Sequence, residues 1–245
     1  MRDPVNPAVE AVSAFFPCYN DAPTIGGLVE TVATSLDKLG VDYEVIVVDD
    51  ASSDSSPEVI AATKARVPQL RSMRHPYNRG YGGALMSGFS TAKKQWVFYT
   101  DGDGQYDPAE LELLVKEARD DVDVVQGYKM SRSDPLSRKL AGFLYKRTTR
   151  WMFNLQIRDV DCDFRLIRRE TLEQIQLFHT SGVICVELVR KLQDAGARFV
   201  EVPVSHLPRS HGRSQFFNPR SIVRAVGGLL MLRVELTIER HRGAW

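Results

Sequence analysis

Trp96-Val97-Phe98-Tyr99-Thr100-Asp101-Gly102-Asp103-Gly104-Gln105-Tyr106-Asp107-Pro108 is the stretch on which the reading of this 245-residue chain turns. Its first five residues carry no charge and favour extended backbone, which predicts a buried strand over 96–100. The loop that follows sets two carboxylates two residues apart with a glycine between them, so both can approach one divalent ion. Hard oxygen donors of this kind suit Mg²⁺ or Mn²⁺ rather than zinc. An EF-hand also opens with D-x-D-G, but it needs a helix in front of the loop, and 96–100 reads as a strand. The plainer alternative is a turn that merely uses Asp and Gly.

On either side, short β-rich runs alternate with amphipathic stretches. Strands are predicted over 12–16, 44–48, 70–74, 122–126, 164–167 and 199–204. Helices are predicted over 24–39, 57–66, 83–93, 108–119, 135–155, 183–195 and 222–240, with Thr24 as an N-cap and Gly40 as a stop. This order predicts an α/β fold with a mainly parallel central sheet flanked by helices. In such sheets ligands bind beyond the carboxyl ends of the strands, here 17–21, 49–54, 75–83 and 101–107. The stretch 135–155 reads as a basic amphipathic helix with Leu140, Leu144, Trp151 and Leu155 on one side.

A composition of 43% hydrophobic and 26% charged residues excludes a disordered chain. The apolar run 225–232, fenced by Arg224 and Arg233, is far shorter than the roughly 18 residues of a spanning helix, and the first residues hold no apolar leader. Cys18, Cys162 and Cys185 lack metal-like spacing and suit reduced thiols. The expectation is a cytoplasmic protein, either free or peripheral on the cytoplasmic face of a membrane. Residues 1–128 hold 11 Lys+Arg against 20 Asp+Glu, a net of −9, and residues 129–245 hold 21 against 11, a net of +10. An acidic half followed by a basic one suggests a cation site in the first and an anionic partner for the second, unless the halves simply neutralise each other.

Other clusters sit at the same predicted strand ends. Asp49 and Asp50 follow a buried-type strand, where a carboxylate can accept from a base N–H or a ribose hydroxyl; Ser53 and Asp54 can equally cap the next helix. Gly80 and Gly82 lack the third glycine of a dinucleotide fingerprint and read as a backbone-accessible loop near phosphate or ribose. Asp159, Asp161 and Asp163 are each candidates for a general base. Lys129, Arg138 and the run Arg209 to Ser214 can fold cations over an anion, or be solvated charge.

Five ordered motifs together resemble the inverting family 2 glycosyltransferases of GT-A fold, closest to the polyprenyl-phosphate branch typified by dolichol-phosphate mannose synthase. Pro17-Cys18-Tyr19-Asn20-Asp21 resembles the first-strand P-x-Y-N-E segment, with Asp in place of Glu. That likeness implies donor-nucleotide contacts from Pro17, Tyr19 and Asp21. Val48-Asp49-Asp50-Ala51-Ser52 is similar to V-D-D-x-S, which implies Asp50 near the base of the nucleotide. Asp101-Gly102-Asp103-Gly104-Gln105 is similar to D-x-D-x-Q, which implies metal and diphosphate binding by Asp101, Asp103 and Gln105. Gly127-Tyr128-Lys129 stands where the branch has G-S-R, Arg138 falls on its next basic position, and Arg209 to Ser214 is similar to R-x-x-G-x-S. These imply acceptor-phosphate contacts from Lys129, Arg138, Arg209 and Ser214. Asp163-Phe164-Arg165-Leu166 is similar to the branch's G/D-F-R-L.

The resemblance implies one catalytic domain over 1–220, with a nucleotide-binding half 1–128 and an acceptor-binding half 129–220, then a helical tail over 221–245. It implies a Mg²⁺ or Mn²⁺ cofactor, a nucleoside-diphosphate sugar donor linked to GDP or UDP, and a polyprenyl phosphate acceptor, with no nucleic acid partner. A hydroxyl acceptor is the alternative, and would require Asp159, Asp161 or Asp163 as base. A nucleotidyltransferase lacks its glycine-rich first-strand signature here, and a nucleotide-sugar-binding protein without turnover would not need intact Asp101, Asp103 and Gln105. The amphipathic segments 135–155 and 222–240 are read as faces for an anionic membrane, for the domain itself, or for a second copy or membrane subunit.

Overall fold

The computed structural model describes residues 8–130, 146–208 and 219–241. Its strands are β1 (Ala11–Cys18), β2 (Asp42–Asp49), β3 (Leu70–Arg74), β4 (Trp96–Thr100), β5 (Val124–Lys129), β6 (Phe164–Arg168) and β7 (Phe199–Val204). The helices are α1 (Ala22–Leu39), α2 (Ser56–Lys64), α3 (Tyr81–Thr91), α4 (Leu111–Glu117) after a 3₁₀ turn at Pro108–Glu110, α5 (146–153), α6 (Arg169–Glu173), α7 (Ile184–Asp194) and α8 (Pro219–His241). The strands form one sheet in the order β3-β2-β1-β4-β6-β5-β7. All neighbours are parallel except β6, which runs antiparallel to β4 and β5.

Both faces of the sheet are covered, so its central strands are apolar throughout and alternate residues feed different layers. Phe16, Val47, Phe98 and Leu166 pack under α1 and α4. Phe15, Val48, Tyr99 and Ile167 pack under α3 and α7. A third cluster joins Phe153 and Leu155 to Val186 and Val189 of α7 and to Leu229, Leu232 and Leu236 of α8.

Two local expectations are corrected. Thr24 is not the N-cap of α1: Asp21 holds that position, and the Thr24 hydroxyl donates to the carbonyls of Asp21 (3.1 Å) and Gly102 (2.6 Å). Gly40 does stop the helix in a left-handed conformation, φ 68°. Trp151 is 84% exposed, while Phe153 and Leu155 are buried, so α5 turns the tryptophan outward rather than onto an apolar seam. Leu140, Leu144 and the rest of 131–145 lie outside the described residues.

Candidate active site

The parallel order brings the ends of β1, β2 and β4 to one edge, and the reversed β6 begins where β4 ends, with Thr100 paired to Phe164. That reversal carries the residues ahead of β6, including Asp159, Asp161 and Asp163, to the edge that bears Asp101.

Asp101 is the first residue after β4. Its Oδ1 accepts from the Tyr81 hydroxyl at 2.7 Å. Burial, then the carboxylates of Asp163 and Asp103, push the Asp101 carboxyl well above its usual range, against the opposing effects of Tyr81 and Lys129. Asp103 Oδ1 accepts from the backbone N–H of Gln105 at 3.0 Å, which fixes the turn. The loop is pinned further out by Leu207, whose N–H donates to the Gln105 carbonyl at 2.8 Å. Gly102 lies against β1: a methyl group there would come within 2.7 Å of the Pro17 carbonyl and 3.2 Å of Asp21 Oδ2. The first-strand motif and the aspartate loop are therefore neighbours, with Tyr19 45% exposed beside them.

The residues fit a divalent cation. The donors are hard oxygens, and Asp101 follows directly on a buried strand with the carboxylates of Asp103 and Asp163 close by. Among the described residues no group of three or more His, Cys, Asp or Glu side chains forms a cage. An ion held by Asp101 and Asp103 would complete its shell with phosphate, water or the Gln105 amide, the usual habit of Mg²⁺.

Asp50 is committed inside the protein. Its Oδ1 lies 2.6 Å from His75 Nδ1 and accepts from Arg79 N at 2.8 Å, and its Oδ2 accepts from Gly80 N at 2.9 Å. His75 Nε2 in turn meets the Ser87 hydroxyl at 2.9 Å, so Asp50 fixes the turn entering α3. Gly80 and Gly82 have a packing reason. A methyl on Gly82 would sit 2.1 Å from the His179 carbonyl and one on Gly80 2.6 Å from that of Thr180.

The three candidate bases are separated by their partners. Asp159 pairs with Lys146 at 2.6 Å. Asp163 is bound by Arg165 at 2.9 Å and by the Tyr99 hydroxyl at 3.2 Å. Arg165 itself is fully buried and also donates to Gln126, Tyr99 and the Val160 carbonyl. Burial, reinforced by Asp159, raises the Asp161 carboxyl to about 6, against the pull of Lys129. Lys129 ends β5 and donates to the Asp161 carbonyl at 2.8 Å. Arg138, Arg209 and Ser214 lie outside the described residues.

Residues 13–176 match the family described as Glycosyl transferase family 2. The chain belongs to that family. The undecaprenyl-phosphate 4-deoxy-4-formamido-L-arabinose transferase of Aeromonas hydrophila subsp. hydrophila is 31% identical over 213 residues, 86% of this chain and 64% of that one. The enzyme of the same name from Edwardsiella ictaluri is 30% identical, over 85% of this chain and 63% of that one. The chain thus spans just under two thirds of these relatives. Among solved structures, glucosyl-3-phosphoglycerate synthase from Mycobacterium tuberculosis, in complex with Mn²⁺, UDP and phosphoglyceric acid, matches with a TM-score of 0.71 at 20% identity. That match covers 93% of this chain and 80% of that one. A mannosyltransferase from Pyrobaculum calidifontis, in complex with GDP-Man and Mn²⁺, matches with a TM-score of 0.66 at 22% identity, over 97% and 66% of the two chains. The fold of this family 2 member is GT-A.

Sequence reasoning passed over Tyr81, His75 and Arg165 as individual residues. His75 and Tyr81 lie within the post-strand stretch 75–83, and Arg165 within the D-F-R-L motif. The pairing of Tyr81 with Asp101 and of His75 with Asp50 becomes visible only once the strands are assembled, as do the bonds of Arg165 to Gln126 and Tyr99.

Proposed function

We propose that the chain is a metal-dependent, inverting glycosyltransferase that moves a sugar from a GDP- or UDP-linked donor to a polyprenyl phosphate. The observation that carries this reading is the aspartate loop at the carboxyl edge of β4, with Lys129 at the end of β5 on its flank. The names of the Aeromonas and Edwardsiella relatives, at about 30% identity, support the acceptor class.

In this reading Pro17, Tyr19 and Asp21 contact the donor nucleotide, and Asp50 acts through the turn it holds. Asp101 and Asp103, with Gln105 beside them, would hold Mg²⁺ or Mn²⁺, which when bound would supply positive charge against the departing diphosphate. A lipid phosphate oxygen attacks the anomeric carbon as the bond to the diphosphate breaks on the opposite face. A phosphate monoester has its second pKa near 6, so the acceptor is largely dianionic at neutral pH and needs docking cations rather than a base. Lys129 supplies one, and Arg138 and the 209–214 run are proposed as the others.

A hydroxyl acceptor is the second reading and would require a base, for which Asp161, its carboxyl pushed up to about 6 by burial and Asp159, is the candidate. The test is a transfer assay on the 245-residue chain with Mg²⁺ or Mn²⁺, a panel of UDP- and GDP-sugars, and polyprenyl phosphate in detergent. Lipid-linked sugar, reduced about 100-fold or more by Asp103→Asn, is the expected result. Donor binding or slow donor hydrolysis without lipid product overturns the lipid reading and moves the search to hydroxyl acceptors and Asp161.

A further inference from the structure

We propose that Tyr81 is a positioning residue for Asp101, and that the segment 176–182 sets where Tyr81 stands. This rests on Asp101 and Asp103 being the cation-binding pair.

The phenol donates to Asp101 Oδ1 at 2.7 Å and so occupies one of the two carboxylate oxygens. Its ring packs on the cluster beneath α3, so phenylalanine would satisfy the packing alone. The hydroxyl is the part that reaches the site. A hydrogen bond of this kind restricts the rotation of the carboxylate and leaves its other oxygen for a cation.

Tyr81 opens α3, and the backbone around it is clamped from two sides. On one side Asp50 takes the N–H groups of Arg79 and Gly80. On the other, Gly82 N donates to the Thr180 carbonyl at 2.9 Å, and the first turn of α3 lies directly on the backbone of residues 179 and 180. That backbone is held from behind. Glu187, fully buried on α7, accepts from Phe178 N and His179 N, both at 3.0 Å. Lys191 pairs with Glu187 at 3.0 Å and donates to the Gln176 carbonyl at 2.7 Å. The His179 ring meets Glu235 of α8 at 2.9 Å. A buried ion pair thus holds the segment against which Gly80 and Gly82 set the start of α3.

The decisive experiment titrates Mn²⁺ into the protein, following free Mn²⁺ by electron paramagnetic resonance with UDP or GDP present, alongside nucleotide binding in EDTA and thermal melting. Tyr81→Phe is expected to weaken Mn²⁺ binding about tenfold or more while metal-free nucleotide binding and melting stay as in wild type. Gly82→Ala keeps the phenol but drives a methyl group into the His179 carbonyl, and is expected to weaken Mn²⁺ binding in the same direction. Wild-type Mn²⁺ affinity in Tyr81→Phe overturns the role of the phenol, and wild-type affinity in Gly82→Ala overturns the role of the segment. If the wild-type chain itself binds nucleotide but no Mn²⁺, the metal reading of the aspartate loop has failed, and the inference falls with it.

Discussion

Asp159, Asp161 and Asp163 are spaced two apart, yet three different physical situations result. Asp159 faces Lys146 and Asp163 faces the buried Arg165, so each carboxylate has a cation within 3 Å. Asp161 has the Lys129 ammonium on its carbonyl instead, and burial beside Asp159 raises its carboxyl to about 6. The sign of the pH effect follows. The folded chain retains this proton where the unfolded chain, with an aspartate near pKa 4, has released it. The associated stability is fully present below about pH 4 and is lost as the pH rises through about 6. A tenfold change in proton affinity between the folded and unfolded chain is worth about 1.4 kcal/mol, and Asp161 keeps some contact with solvent. Asp161→Asn is therefore expected to match wild type at pH 4 and to exceed it by ~1–2 kcal/mol at pH 8. Denaturant melts at pH 4, 6 and 8 check this, and a difference that ignores pH contradicts it.

Helix starts show how one side chain can serve two elements. Asp54 Oδ1 accepts from Ser56 N at 2.9 Å at the start of α2, and Oδ2 from Ala22 N at 3.1 Å at the start of α1. Burial acts to raise the Asp54 carboxyl, but the hydrogen bonds from Ser56 and Ala22 outweigh it and hold the group below its ordinary value. Asp54→Ala leaves both N–H groups without this acceptor, so a loss of about 1–2 kcal/mol is expected at neutral pH, read from denaturant melts. The loss should shrink as the pH falls below about 4, because the wild-type carboxylate is then protonated too. Capping by Asp54 was legible in the sequence because it is local; its reach to α1 was not, because it depends on β1 and β2 lying side by side. The same division runs through the fold. Strands β3, β4 and β7 were legible to the residue; for β4 the reason is a short apolar run that ends at Asp101 and allows little slippage. The direction of β6 was not, because a period of two is the same in either direction. Asp101 and Asp103 stood out by spacing alone, whereas Tyr81 has its role from a partner 20 residues away and Arg165 adds Gln126 and Tyr99, on neighbouring strands, to its near neighbour Asp163.

The charge asymmetry of the two halves takes physical form in the aspartate loop of the first half and in α8 of the second. One stripe of α8, Leu229, Leu232 and Leu236, is buried against α7. A second stripe, Val223, Val226, Leu230, Val234 and Ile238, is exposed at 45–72%. Its charges are sorted: Glu235 and Glu239 turn inward to His179 (2.9 Å) and Lys191 (3.6 Å), while Arg224 and Arg233 remain exposed near the outer stripe. Two copies meeting through this face would bring arginine to a face without described carboxylates. An anionic bilayer surface offers both what the valines and leucines need and what the arginines need, and it is where a polyprenyl phosphate would be met. No helix among the described residues is long and apolar enough to cross a bilayer. Each arginine near such a surface contributes roughly 1 kcal/mol, and salt screens that contribution. The chain is therefore expected to sediment with phosphatidylcholine vesicles containing one third phosphatidylglycerol, less with phosphatidylcholine alone, and less again in high salt. Replacing Val226, Leu230 and Val234 together by serine should abolish sedimentation while leaving melting nearly unchanged, because the buried stripe is untouched. Failure of the wild-type chain to bind the anionic vesicles overturns this reading. So does a wild-type dimer that the triple substitution converts to monomer, which would assign the face to a second copy of the chain.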